Sequence, residues 1–456
     1  MQVKSFILAA CAGGFAHAAV PATPISVAPD TIACKHFIGF GAEWDSPGYV
    51  TQGVTDAEFA RVAARVAWMR LPVARVMMLT RWCYLGEGKF SWETPAMKAL
   101  YRDLDVCQKL GTTVILTDWG AERDWTKPPS ITAVDQDEYA QAIGTYMEYL
   151  LRTKGYTCIR YFVLTNEPNG EVGDFGRWRR GVEKVAAVLT KRKLEHAVTF
   201  MGSDTYDPAL WHPQAVDQLH HILGAYDIHH YASAAEVRHG ALEPWWRGHW
   251  NYVRDHDPAA AGKPLMVGEA GLSDDSEPPR GNRQIGDYAY GVFMADYAVQ
   301  AARAGSAAVS AWMLDDTSLD GFFWGLWDNK KNGFALRPWF YPWSLLARYF
   351  PTGALTYAPP QTSGDLRVLA ARIPSGRPAT PDGWSVCLVN RADNPCQVAL
   401  TLPAAPTLTL KRYVYSQADS PHDADGLPVP SASMVLGSGA AVSCPANSVV
   451  ILTSLP

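Results

Sequence analysis

The run Tyr161-Phe162-Val163-Leu164 gives way to Thr165-Asn166-Glu167-Pro168-Asn169-Gly170. A near-continuous apolar run reads as a strand buried on both faces, as in a parallel sheet. Proline disfavours helix at the residue before it, which predicts an extended Glu167 at the strand's carboxyl end. In α/β sheets and barrels that end carries the ligand site. A carboxylate fixed there, beside an amide and a rigid turn, is placed to exchange a proton. The plain alternative is a strand-to-loop turn that contains a glutamate. A second glutamate, Glu269, ends Pro264-Leu265-Met266-Val267-Gly268, and alone it reads as readily as a surface acid.

Composition narrows the chemistry. The 456 residues exceed one typical domain but fit a barrel of about 250 residues with an addition. With 48% hydrophobic and 19% charged residues, the chain is ordinary globular protein. Its 17 Trp and 20 Tyr suit stacking on sugar faces, although core and interface use them equally. A net charge of −5 without any basic run excludes a nucleic-acid binder, which needs clustered Lys and Arg.

Residues 1–18 carry one Lys, an apolar run over 6–15 and Ala16-His17-Ala18, which predicts a secretory signal peptide. Leu8-Ala9-Ala10-Cys11 offers a second-ranked lipoprotein site. No later apolar stretch is long enough to span a bilayer, so a secreted or periplasmic protein without a membrane partner is expected. The seven cysteines after Cys11 lack the paired short spacings of a zinc site, and neither metal nor cofactor is expected. Cys387 and Cys396 flank a turn at 390–394, where a cross-hairpin disulfide is open.

The elements that position the glutamates follow in regular order. Strands are predicted over 37–41, ending at Glu43-Trp44-Asp45, and over 67–73, carrying Arg70. Further strands cover 113–117, ending in Asp118-Trp119, then 161–164, 198–201 before Ser203-Asp204, and 226–228 before His229-His230-Tyr231. The last two are 264–269 and 307–313, with Trp312. Helices are predicted between them, among them 55–66, N-capped by Thr55, and 94–110, stopped by Gly111. Eight strands alternating with eight helices is the (β/α)8 barrel pattern, an α/β fold. A doubly wound sheet lacks support, because no Gly-rich phosphate loop follows the first strand.

After about residue 351 the texture becomes short β runs between Gly, Pro, Ser and Asp, a C-terminal β-sandwich over 351–456. The barrel then spans 24–350, with a lead-in strand in 24–34 expected to join the sandwich. Phe340, Trp343 and Phe350 are expected to fill the junction.

With the barrel drawn, Asn166-Glu167-Pro168 and Gly268-Glu269-Ala270 resemble the clan of retaining glycoside hydrolases with catalytic glutamates on strands four and seven. Families 5, 30 and 39 are the ones it is similar to. The resemblance covers most of the barrel, with Met69-Arg70-Leu71-Pro72-Val73, His229-His230-Tyr231 and Ala311-Trp312. A lead-in strand and carboxy-terminal sandwich are similar to the layout of families 30 and 39. The chain departs at strand three, where some of these families place a histidine and it carries Asp118-Trp119.

The resemblance implies Glu167 as acid/base and Glu269 as nucleophile, two carboxyls about 5–5.5 Å apart. It implies that Arg70 and Tyr231 bond Glu269, that Asn166 bonds the sugar 2-OH, and that Trp312 floors the cleaved sugar. The plainer alternatives are a buried structural ion pair for Arg70, satisfied core polars for His229 and Tyr231, and barrel core for Trp312. Glu43, Trp44, Asp118, Trp119, Trp324 and Trp327 lie on loops at the same face and could line a sugar cleft. Asp274-Asp275 and Asp315-Asp316 read as solvated loop acids rather than a calcium site. The implied function is a secreted retaining β-glycosidase of a plant or microbial β-glycan, with a carbohydrate substrate. A carbohydrate-binding protein without catalysis, and a transglycosylase, are the alternatives.

Overall fold

A computed structural model describes residues 21–274, 276–277, 281–316, 322–361, 364–376, 381–403, 408–437 and 441–456. The expected signal peptide and lipoprotein site lie outside these residues. Among the described residues, no helix is long and apolar enough to cross a membrane.

Eight parallel strands close a barrel in sequence order. They are β1 (Gly39–Trp44), β2 (Val73–Met78), β3 (Thr113–Asp118), β4 (Ile159–Val163), β5 (Thr199–Thr205), β6 (Ala225–Ala232), β7 (Leu265–Leu272) and β8 (Ala308–Ala311). The longer helices between and after them are α1 (Asp56–Met69), α2 (Pro95–Leu110), α3 (Asp137–Glu148), α4 (Phe175–Lys191), α5 (Trp211–Leu219), α6 (Leu242–His256), α7 (Tyr288–Arg303) and α8 (Phe340–Tyr349). Val73, Ile115, Val163, Met201, Met266 and Ala308, one from each of six strands, cluster together and plug the lower barrel. Alternation turns the intervening residues outward, where Val76, Leu116, Phe162 and Val309 join the larger core beneath the helices.

The second strand differs from expectation. Helix α1 runs to Met69, burying Phe59, Val62, Val66 and Met69 at helical spacing, and Thr55 closes a capping box with Glu58. Arg70 ends that helix in the left-handed region, at φ 49°, and its side chain is exposed. The strand begins only after Pro72, so Arg75 enters the barrel and Arg70 stays outside it.

The C-terminal unit is a sandwich of a seven-stranded and a three-stranded sheet. The first of the described strands, Thr23–Ser26, runs parallel to Cys396–Thr401 in the smaller sheet, and Ile32–Cys34 pairs with Leu355–Tyr357 in the larger. Cys396 lies opposite Cys444, while Cys387 sits in a central strand opposite Leu369 and Ile451. A Cys387–Cys396 bridge is therefore not formed, and all seven described cysteines are thiols.

Phe350 and Trp343 pack edge-on against Phe40 of β1, and all three expected junction residues, Phe340, Trp343 and Phe350, belong to a core that runs on to Tyr413, Tyr415 and Ile451 of the sandwich. Tyrosines add to the junction: Tyr288 and Tyr341 stack on Tyr415, and the Tyr349 and Tyr413 hydroxyls meet at 2.7 Å. Asp296 of α7, fully buried, takes ion pairs from Arg367 at 2.9 Å and Arg391 at 3.4 Å, both from the sandwich.

Candidate active site

Glu167 follows β4 in the left-handed region, φ 43° and ψ 59°, and not extended as its proline neighbour predicted. The cause is local. Pro168 opens a short helix, Pro168–Glu171, and the Glu167 carbonyl accepts from Gly170 and Glu171 N–H at 2.8 and 2.9 Å. Its own N–H donates to Asp204 Oδ2 at 3.2 Å, and its side chain stays partly exposed. Such a positive φ at a non-glycine residue is strained, a feature that concentrates at functional sites.

Glu269 enters the barrel through a bulge. Met266 faces inward and Val267 outward, so strict alternation would turn Glu269 toward the helices. The β6–β7 register instead jumps from Ile228 opposite Val267 to His229 opposite Glu269. The extra residue is Gly268, where a Cβ would fall 2.6 Å from Asp227 Oδ2 and 2.9 Å from His229 Nε2.

Around these two acids the barrel interior supplies fixed charges. Arg75, fully buried, donates to Glu269 Oε1 at 2.7 Å, to Asn166 Oδ1 at 2.7 Å and to Asp204 at 3.0 and 3.2 Å. Tyr231 donates to Glu269 Oε2 at 2.7 Å. His229 places Nδ1 3.0 Å from Glu167 Oε1 and 3.6 Å from Glu269 Oε1, and Nε2 3.1 Å from Asp204 Oδ1. Ligand atoms of Glu167, His229 and Glu269 all lie within 4.8 Å of one another.

Burial lifts the Glu269 carboxyl above its ordinary range, against the pull of His229 and Arg75. Burial also opposes charge on Asp204, yet Arg75 and His229 hold it below the usual carboxylate range. Its neighbour Asp227 is pushed well up, by burial and then by the Asp204 charge. Burial works against the His229 cation too, but Glu269 and Asp204 raise it well above the ordinary value.

Glu167, His229 and Glu269, or Asp204, Asp227 and His229, carry atom types that ligate metals. Arg75 already brings a full positive charge to Glu269 and Asp204, however, and would repel a second cation. The donor set fits an organic substrate better.

The structure thus brings Glu167, Glu269, Asn166, His229 and Tyr231 together and leaves Arg70 out, with Arg75 in its place. Trp324 joins them, edge-on to Tyr231 at 5.5 Å. Trp312 follows β8, its N–H donating to Ala270 beside Glu269, and it is half-buried. Glu43 points inward, opposite Arg75 across the β1–β2 pairing, and neither carboxyl oxygen has a hydrogen-bond partner. Trp119 is half-buried on the rim, edge-on to Trp125, which is 51% exposed.

Three expected cleft residues face elsewhere. Trp44 shares the outward face of β1 with Phe40 and Ala42, stacks on Phe59 and donates to Tyr49 at 2.6 Å. Asp118 is likewise outward on β3, accepting from Thr80, Tyr139 and Tyr146 beneath α3. Trp327 is fully buried, edge-on to Phe340 and under the Arg65 guanidinium. Asp315 and Asp316 are buried loop-locking acids, not solvated ones: Asp315 accepts from Tyr49, and Asp316 from Trp324, Gly325 and Arg337. Asp274 accepts from Ala234 N–H, and Asp275 lies outside the described residues.

Sequence reasoning missed Arg75, Asp204 and Asp227. Arg75 carried a signal, being the one charge inside Val73-Ala74-Arg75-Val76-Met77-Met78. A buried strand holds an arginine only with partners.

No protein-family model matches the sequence, and no curated protein matches it. Solved structures do match in fold. The glycoside hydrolase family 30 subfamily 8 xylanase of Clostridium acetobutylicum superposes with TM-score 0.65 at 14% identity, over 95% of this chain and 99% of that one. The α-L-arabinofuranosidase of Thermotoga maritima, in its arabinose complex, gives 0.68 at 12% identity, over 94% and 99%. A family 39 β-xylosidase of Caulobacter crescentus gives 0.63 at 15%, over 96% and 100%. This chain has the barrel-and-sandwich fold of those glycoside hydrolases along almost its whole length.

Proposed function

We propose that the protein is a retaining glycoside hydrolase acting on a β-linked glycan. The observation that carries this reading is the pair of Glu167, just after strand four, and Glu269, on strand seven, with an oxygen of each within 4.8 Å of the other. So short an approach is in keeping with the close carboxyl pair of a retaining enzyme, in which one carboxylate attacks the anomeric carbon directly, rather than the wider pair of an inverting one. Glu269, gripped by Arg75 and Tyr231, is the nucleophile; the more exposed Glu167 protonates the leaving oxygen and then deprotonates the attacking water. Asn166, held by Arg75, contacts the sugar, with Trp312, Trp324, Glu43 and Trp119 as further binding residues. The xylanase, β-xylosidase and arabinofuranosidase named among the matching folds support a glycan substrate. The N-terminal 18 residues support export.

Glu269→Ala in the full chain should abolish cleavage of an activated aryl β-glycoside. Azide should restore turnover and yield the glycosyl azide of the opposite anomer. Unchanged cleavage in that variant would sink the assignment.

A further inference from the structure

His229 is buried among titratable groups, Glu167 after β4, Asp204 on β5, Asp227 on its own β6 and Glu269 on β7, with Arg75 of β2 and Tyr231 of β6 holding Glu269. Asp204 is ionised, fully buried, and already an acceptor toward Arg75 and the Glu167 N–H. An ionised carboxylate can only accept, so the ring nitrogen 3.1 Å away, Nε2, must carry hydrogen. The remaining nitrogen, Nδ1, lies 3.0 Å from Glu167 Oε1. A neutral ring and an ionised Glu167 would set two lone pairs against each other at that distance. One proton removes the conflict, whichever of the two atoms it sits on.

We propose that Asp204 is a positioning residue that fixes the His229 tautomer, so that His229 Nδ1 and Glu167 share the single proton delivered to the leaving group. This rests on the glycosidase reading above. In the first step Glu269 bonds to the anomeric carbon, the glycosidic C–O bond breaks, and the departing oxygen takes the shared proton. The neutral ring then faces the Glu167 carboxylate, and their repulsion makes the pair a better base. In the second step a water oxygen bonds to the anomeric carbon, the bond to Glu269 breaks with its electron pair returning there, and the water's proton refills the Glu167–His229 contact. His229 is thereby a reservoir for the acid proton, and Asp204 holds it the right way round.

The test combines ¹⁵N-histidine NMR with kinetics on the full chain. The wild-type His229 signal should show Nε2 protonated at every pH, with Nδ1 titrating alongside the alkaline limb of kcat/KM. In Asp204→Asn the amide can donate to Nε2, turning the hydrogen onto Nδ1. That variant should lose about a hundredfold on a glycoside with an alkyl leaving group, the scale of general-acid catalysis. It should lose far less on a dinitrophenyl glycoside, whose departure needs no proton. A wild-type ring protonated only on Nδ1 overturns the proposal, as do equal losses on both substrates. Should the variant fail to fold, the wild-type spectrum alone decides. Absence of cleavage by the wild type would overturn the glycosidase reading, whereas the spectrum reads the tautomer independently of it.

Discussion

Arg75 Nη1 donates to Glu269 Oε1 at 2.7 Å inside the barrel, whereas Arg70, five residues earlier, points into solvent from a helix end. The two arginines are therefore a matched experiment. Arg75→Ala leaves Glu269 and Asp204 buried without their cation, which costs about 3–5 kcal/mol for a broken buried pair. Turnover should fall on the order of a hundredfold, as when one charge-stabilising donor is lost. Arg70→Ala should change neither thermal midpoint nor kcat appreciably. Kinetics and calorimetry of both variants check this, and a catalytic defect in Arg70→Ala would return that residue to the site.

Gly268→Ala is the smallest change that should disturb the site. Its methyl group would push on Asp227 and on the His229 ring from 2.6 and 2.9 Å. Overpacking of this kind costs about 1–3 kcal/mol. A kcat loss larger than the stability loss alone implies is expected, because the displaced ring contacts Glu167. Wild-type kcat in this variant would show that the bulge tolerates a side chain.

His212 sets a pH slope. Its ring is fully buried, held by Ser203 Oγ at 2.9 Å, and burial, with the His249 charge second, depresses it to about 3. The unfolded chain, with a histidine near 6.5, binds the extra proton first. This contribution to stability is therefore intact above pH 6.5 and is lost as pH falls from there toward 3, by about 1.4 kcal/mol per unit. Urea titrations of wild type and His212→Gln from pH 7 to 4.5 isolate it, since other groups titrate in both. Parallel curves would remove His212 as the cause.

Asp296 ties barrel to sandwich. Arg367→Met removes the closer of its two cations from a contact with side-chain exposures of 0% and 1%. The expected cost is again about 3–5 kcal/mol, read as a lower thermal midpoint for the whole chain. A chain ending at Phe350 should be insoluble or strongly destabilised, since the junction tyrosines and Ile32–Cys34 lose their neighbours. A soluble truncated protein with the parent's heat stability would show two independent units.

The barrel was legible because apolar runs and helical spacing alternate over most of the chain. The glutamate pair was legible because each ends such a run. Two expected cleft residues, Trp44 and Asp118, turn outward for one physical reason, the parity of strand alternation. Counting alternate residues from Phe40 sends Trp44 outward, and counting from Ile115 sends Asp118 outward. The expected strand over 67–73 overlaps helix α1, because Val62, Val66 and Met69 continue one buried helix face. Glu269 is the reverse case: parity would have rejected it, and only the bulge at Gly268, a property of strand pairing, turns it inward. The roles of Asp204 and Asp227 depend on contacts between β5 and β6 that no local spacing encodes.

The parallel pairing of Thr23–Ser26 with Cys396–Thr401 bears on the order in which the protein comes into being. The segment synthesised first among the described strands finds its neighbour almost a whole chain length later, and must wait while the barrel is made. Contacts this remote in sequence slow folding and leave an unpaired edge exposed meanwhile. A stalled or shortened translation product would thus present a free strand at its head, whereas the finished chain closes head onto tail.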